Sequence, residues 1–398
     1  MTQPRMCDLE LRPILDAVNQ VLHEVNRPVP LHIPTLKGNA WDYVKECIDT
    51  GWVSSVGAYV DRFEQMAAAY TGAKHAVAVV NGTSALHMAL LLAGVKRDDE
   101  VLSPSLTFVA TANAISYCAA VPHFVDVDEQ TMGIDPDRLD AYLAEAAELR
   151  ADGCYNRTTG RRIAAMVPMH AFGHPCRLDP LLELCQRWRL TMVEDAAESL
   201  GSLYRDRHTG TFGKLGILSF NGNKIITTGG GGIILTDDEA LAKQAKHLTT
   251  TAKQPHRWEY NHDQVGYNYR LPNLNAALGC AQFELLPSYV EAKRRLAARY
   301  IDAFADVPGV TFLAEPPETR SNYWLNTLVL APEHASARDD LLSALHEAGM
   351  LVRPAWTPMH QLPMYRHCPH AELSVTESLA GRALNLPSSP HLAGEPAS

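Results

Sequence analysis

Between about residue 75 and residue 236, short apolar runs alternate with helical stretches, and this alternation narrows the possible fold more than any other feature of the chain. The runs Ala76 to Val80, Glu100 to Ser103, Val121 to Val125, Ile163 to His170, Thr191 to Glu194, Gly216 to Phe220 and Gly232 to Leu235 have the length and character of buried strands. Between several of them, Ser84 to Val95, Pro136 to Leu149 and Asp179 to Arg189 repeat apolar residues at helical spacing. Strand and helix in alternation predict a mainly parallel sheet covered on both faces. Ligands of such sheets bind at the carboxyl ends of the strands, so residues there are the first candidates for chemistry.

The flanking regions have a different texture. Leu11, Ile14, Leu15, Val18, Leu22 and Val25 fall at steps of three and four residues, which predicts an amphipathic helix ended by Pro28 and Pro30. Residues 1–30 therefore read as a helical arm lying on its own domain or on a neighbouring subunit. After about residue 285 a charged helix carrying Glu291, Lys293, Arg294, Arg295 and Arg299 leads to strands near Val310 to Leu313 and Tyr323 to Leu330, then to a helix near Arg338 to Ala348. This predicts a large domain over 31–285 and a small α+β domain over 286–398, joined by a long helix. The basic run 293–299 reads as a solvated helix face.

Charge and cysteine usage exclude several classes of function. Lys and Arg number 35 against 45 Asp and Glu, and the resulting net charge of -10 repels phosphate backbones and anionic lipid, so neither nucleic acid nor membrane is expected as a partner. Arg5, Asp8, Glu10 and Arg12 interrupt the apolar core that a signal peptide needs, which reads as an unexported protein. The cysteines at 7, 47, 118, 154, 176, 185, 280 and 368 match neither a zinc ribbon nor a redox pair, and suit idle thiols in a reducing cytoplasm. His170 and His174 have the spacing of helical metal ligands, but Pro168, Gly173 and Pro175 break that helix, and no metal is expected.

Two nucleotide-binding patterns also fail. The glycines 229–232 lack the third glycine of a dinucleotide loop, and Gly213 and Lys214 are followed by Leu215 where a phosphate loop needs Ser or Thr. What remains is a set at the expected strand ends: Asp195 after Thr191 to Glu194, Ser219 and Lys224 around the turn after Gly216 to Phe220, and Gly82, Thr83 and Ser84 between a strand and a helix. Singly these suit a helix cap, a surface cation and a capping turn. Together they meet the needs of pyridoxal phosphate (PLP): a lysine for its Schiff base, a carboxylate for its pyridinium nitrogen and a helix N-terminus for its phosphate. Phe108, in the loop after Glu100 to Ser103, is placed to stack on the ring.

The stretches Asn81-Gly-Thr-Ser-Ala-Leu-His87, Pro104-Ser-Leu-Thr-Phe-Val-Ala-Thr-Ala-Asn113, Glu194-Asp-Ala-Ala-Glu-Ser199, Ser219-Phe-Asn-Gly-Asn-Lys224 and Gly266-Tyr-Asn-Tyr-Arg270 resemble the PLP-dependent sugar aminotransferases of the DegT/DnrJ/EryC1/StrS family, from about Pro30 to the C-terminus. The resemblance implies a fold-type I transferase, aspartate aminotransferase-like, with a mainly parallel seven-stranded sheet in the large domain. It implies that Lys224 bonds the cofactor, Asp195 pairs with the pyridinium, and Ser219, Thr83 and Ser84 hold the phosphate. Phe108 then corresponds to the stacking aromatic, and Asn268 to an asparagine that reaches the phosphate from the other subunit of a homodimer with shared active sites.

One position departs from the commonest pattern: where the family usually has Gln or His beside the phenolic oxygen of PLP, this chain has Glu198. An ionised carboxylate there would repel a phenolate, so the expectation is a protonated Glu198 with a raised pKa. Gly51-Trp-Val-Ser-Ser-Val-Gly57, Glu198-Ser-Leu-Gly-Ser202, Thr209-Gly-Thr-Phe-Gly213 and Phe220-Asn-Gly-Asn-Lys-Ile-Ile-Thr-Thr228 resemble the legionaminic-acid branch of the family. That branch implies transfer of an amino group from L-glutamate, leaving 2-oxoglutarate, to C4 of a nucleotide-linked 4-keto-6-deoxy-N-acetylhexosamine. Trp52, Trp356 and His360 are the candidate sugar contacts. The rival readings are a dehydratase of the same fold, which carries His at the lysine position, and a regulatory homologue, which needs no intact set of Lys224, Asp195 and Ser219.

Overall fold

The apolar runs pair, in a computed structural model that describes residues 9–394, into a sheet ordered His75–Val79, Gly232–Thr236, Leu215–Ser219, Thr191–Asp195, Arg162–Met166, Glu100–Pro104 and Val121–Val125. Gly232–Thr236 runs antiparallel to both of its neighbours, and the other four pairings are parallel. Residues 1–8 of the expected arm, with Arg5, Cys7 and Asp8, lie outside the described residues. No helix among the described residues is long and apolar enough to cross a membrane.

Two expected boundaries move. The helix expected to reach Leu149 stops at Ala146, because Ala147–Arg150 turns back through Ala151 and Asp152 and pairs with Gly153–Asn156. Arg150 faces Gly153 across this two-residue turn, and the hairpin raises the sheet from the expected seven strands to nine. The run expected to reach His170 leaves the ladder after Met166, two residues before Pro168, which has no N–H to donate.

The long helix expected between the two domains is Asn273–Phe304, which contains the 285/286 boundary and serves two cores. Its first half packs Ala276, Cys280, Phe283 and Leu286 with Val60, Phe63 and Leu218. Its second half packs Leu296, Ala297, Tyr300 and Phe304 with Leu328, Leu384 and Leu386 of a four-stranded antiparallel sheet. The N-terminal helix Leu11–Leu22 buries Ile14, Val18, Val21 and Leu22 in that second core, so it lies on its own chain, one of the two placements expected for it.

Of the basic residues in the run 293–299 only Arg295 is exposed to solvent. Lys293 is fully buried, Arg294 pairs with Glu315 at 2.6 Å, and Arg299 donates to the Val21 and Leu392 carbonyls. A helix that lies between two cores has little free face, and long cationic side chains then reach across to carbonyls of the segments packed on them.

Candidate active site

Adjacent parallel strands bring the first two site residues together: Asp195 ends Thr191–Asp195, Ser219 ends Leu215–Ser219, and Ile217 is the register partner of Asp195. The carboxyl ends of these strands open into a cavity of about 690 Å³. Gly82, Thr83, Phe108, Asp195, Glu198, Ser219, Lys224 and Trp356 all line it.

One end of the cavity is built for an anion. Helix Gly82–Leu92 begins there, and the Asn81 side chain caps it by accepting from the Ser84 N–H at 2.7 Å. The N–H groups of Gly82 and Thr83 have no acceptor inside the helix, and the helix dipole adds partial positive charge at the same place. Gly82 fits because it lacks a side chain: a Cβ there would stand 2.9 Å from Ser219 Cβ and 3.1 Å from its Oγ. Glycine thus lets a backbone donor and the Ser219 hydroxyl approach the same point.

The other end carries buried charge. Asp195 accepts from Thr111 Oγ1 at 2.8 Å and from the Ala197 N–H at 3.2 Å, and burial raises its pKa against those two bonds. Glu198 accepts from the Phe172 N–H at 2.9 Å and from Lys224 Nζ at 3.3 Å. Its carboxyl is pushed up to about 7, by burial first, with the Lys224 charge opposing. Lys224 Nζ also lies 3.9 Å from the ring centroid of Trp324. A carboxylate at Asp195, an amine at Lys224 and an anion cradle at Gly82, Thr83 and Ser219 in one cavity fit PLP, whose ring nitrogen, aldehyde and phosphate need those three partners. Phe108, 51% exposed at the start of helix Val109–Tyr117, supplies an aromatic face on the rim.

Four expected residues do not line this cavity. Ser84 is buried at the helix start with its N–H taken by Asn81, while Gly82, Thr83 and Ser219 line the cavity. His360 has both ring nitrogens engaged, Nδ1 with Ser105 Oγ at 2.8 Å and Nε2 with Glu377 at 3.1 Å, as a structural imidazole would. Trp52 lines a second cavity, beside Arg270 and Asn273. Asn268 is exposed in the segment that bridges to Thr250. Trp356 does line the site, stacked on Phe172 at 4.5 Å.

Conversely, sequence reasoning missed the wall supplied by distant segments: His32, Trp324, Arg353 and Asn385. His32 is buried, neither ring nitrogen has a partner, and burial followed by the Lys293 and Lys224 charges drives its pKa well down. Thr111 was legible in principle, since it stands within the quoted stretch 104–113.

Residues 34–398 match the model of the DegT/DnrJ/EryC1/StrS aminotransferase family. The GDP-perosamine synthase of Caulobacter vibrioides is 39% identical over 355 residues, which cover 89% of this chain and 91% of that protein. The GDP-perosamine synthase of Escherichia coli O157:H7 is 35% identical over 367 residues, covering 92% and 95%. Among solved structures, a DegT DnrJ EryC1 StrS aminotransferase from Brucella abortus has a TM-score of 0.80 at 28% identity, covering 89% of this chain and 91% of that one.

Proposed function

Because the chain belongs to the DegT/DnrJ/EryC1/StrS aminotransferase family, and is accordingly a PLP-dependent sugar aminotransferase, we propose that it moves an amino group from L-glutamate to C4 of a GDP-linked 4-keto-6-deoxyhexose. The observation that carries this reading is the grouping of Lys224, Asp195 and Glu198 in one cavity with the Gly82–Thr83–Ser219 cradle. The GDP carrier is supported by the names of the two relatives, GDP-perosamine synthases. The second reading, a legionaminic-type N-acetylhexosamine on another nucleotide, is supported only by the short stretches around Trp52, Glu198, Thr209 and Phe220.

Bound in this cavity, PLP supplies an electron sink for the charge left when a proton leaves the carbon that bears nitrogen. Lys224 Nζ would tether the cofactor and, as a free amine, would serve as the base that takes a proton from the donor carbon. Asp195 would keep the ring nitrogen protonated. Glu198, in its neutral form, would be a donor beside the phenolic oxygen and would not repel it. Gly82, Thr83 and Ser219 would hold the phosphate, and Phe108 would cover the ring. The two substrates take turns, so ping-pong kinetics follow. The intact Lys224 stands against a dehydratase, and the complete set of Lys224, Asp195 and Ser219 against a purely regulatory role.

We read the enzyme as a homodimer with shared sites, Asn268 reaching the partner's phosphate. Support comes from Trp52, Trp258, Tyr260 and Val265, large apolar or aromatic side chains that are 58%, 69%, 79% and 83% exposed and that a partner surface would cover. No metal takes part in the proposed reaction.

The test is amination of a small panel of GDP-, UDP- and dTDP-linked 4-ketosugars by the glutamate-treated enzyme, with the new amine located by NMR. Turnover of the GDP-linked sugar with the amine at C4 is expected. Turnover confined to a UDP-linked N-acetylhexosamine would favour the second reading, and an amine at C3 would overturn the position.

A further inference from the structure

Lys293 is a lysine without an obvious reason to be where it is. It is fully buried in helix Asn273–Phe304 and has no carboxylate partner among the described residues. Its Nζ donates instead to two backbone carbonyls, that of Trp324 at 3.0 Å and that of Ser388. Desolvating an amine is costly, and burial alone lowers its pKa far below that of an exposed lysine. An apolar side chain of similar length would fill the same space without that cost.

What the amine holds in place is informative. Trp324 is tied at three points: its N–H to Asn322 Oδ1 at 2.7 Å, its carbonyl to Lys293, and its indole N–H to the Asn223 carbonyl at 2.8 Å. Asn223 directly precedes Lys224 in the chain, and the Trp324 ring lies 3.9 Å from Lys224 Nζ. The indole therefore bears on the lysine twice, through the backbone before it and through its amine.

We propose that Lys293 is a positioning residue for Lys224: by holding the Trp324 carbonyl, it fixes the indole against which the cofactor-binding amine rests. This rests on the reading that Lys224 carries the cofactor. The ionisable groups within reach of Lys224 are Glu198, Asp195 and His32, and His32 is also within reach of Lys293. His32 faces both lysines, so Trp324→Phe, which leaves Lys293 in place and removes the indole N–H bond to the Asn223 carbonyl, separates a route through the indole from one through His32.

The test uses the holoenzyme and its Lys293→Met and Lys293→Gln variants, following the absorbance of bound PLP against pH and the rate at which L-glutamate bleaches it. An indole face favours a cation at Nζ, so loosening it in the Met variant is expected to lower the titration midpoint by about half a pH unit. Bleaching is expected to slow roughly fivefold to tenfold, the effect of a misplaced reacting group. Gln keeps an N–H donor and should restore part of both. Should the Met variant not fold, Lys293→Gln and Trp324→Phe, which loses the indole N–H, are read in the same way. Wild-type midpoints and rates in the folded variants overturn the proposal. Borohydride trapping of the wild type with peptide mapping keeps the two readings apart: a missing label at residue 224 removes the catalytic assignment, whereas a label there with unaltered Lys293 variants removes only the positioning role.

Discussion

Glu198 Oε1 lies 3.3 Å from Lys224 Nζ, with the second oxygen of the carboxyl held by the Phe172 N–H at 2.9 Å. A carboxyl so enclosed titrates near 7, because burial outweighs the attraction of the lysine. Protonation of this one group therefore links cofactor chemistry to the stability of the empty protein.

The linkage has a definite sign. A carboxyl whose pKa rises on folding stabilises the fold while neutral, and that contribution is lost as pH climbs from the unfolded value near 4.5 through about 7. Glu198→Gln is neutral at every pH. In urea unfolding of the apoenzyme it should gain on the order of 1–3 kcal/mol over wild type at pH 8, and much less at pH 5. An equal difference at both values would show that Glu198 does not titrate in this range.

Gly82→Ala tests the cradle. The new Cβ would press on Ser219 at 2.9 Å, yet alanine is the better helix former, so the apoenzyme should keep its stability to within about 1 kcal/mol. Affinity for PLP should fall about tenfold or more, a loss of about 1.4 kcal/mol, as read by spectral titration. Unaltered PLP binding would rule out close approach of the phosphate at this turn.

Asp195→Asn removes the only carboxylate that accepts from Thr111. PLP should still bind, since tether and phosphate cradle remain. Bleaching by L-glutamate should slow by about a hundredfold or more, the scale of a lost proton-holding group. Rates within a few-fold of wild type would show that the ring nitrogen is held elsewhere.

His360→Ala separates scaffold from substrate contact. Both ring nitrogens are engaged, with Ser105 and Glu377, so the variant should lose roughly 1–3 kcal/mol in chemical unfolding while KM for the ketosugar stays within twofold. A large rise in KM without loss of stability would put the imidazole on the sugar.

Much of the site was legible because its residues sit at junctions that local rules mark. Gly82 and Thr83 follow a strand and open a capped helix, and Asp195 and Ser219 terminate strands that are parallel neighbours. That Asn81 takes the Ser84 N–H is a detail of hydrogen-bond geometry that spacing does not encode. The hairpin at 147–156 was missed because a helical apolar pattern ran into it. The second sheet and the helix Arg338–Glu347 followed the expected order, and the long helix that spans 285/286 contributes to both cores.

From the order of residues alone came the alternating α/β architecture, the lysine five positions after a serine at a strand end, and a carboxylate at the end of another strand. These are local or neighbour properties: strand period, helix capping and short turns depend on residues close in the chain. Which side chains share the cavity was decided only by the tertiary structure. Lys293 looked like part of a solvated cationic face, and it is buried because its amine meets carbonyls 31 and 95 residues away. Burial and partnership are set by segments that meet only on folding, and no periodicity along the chain records them.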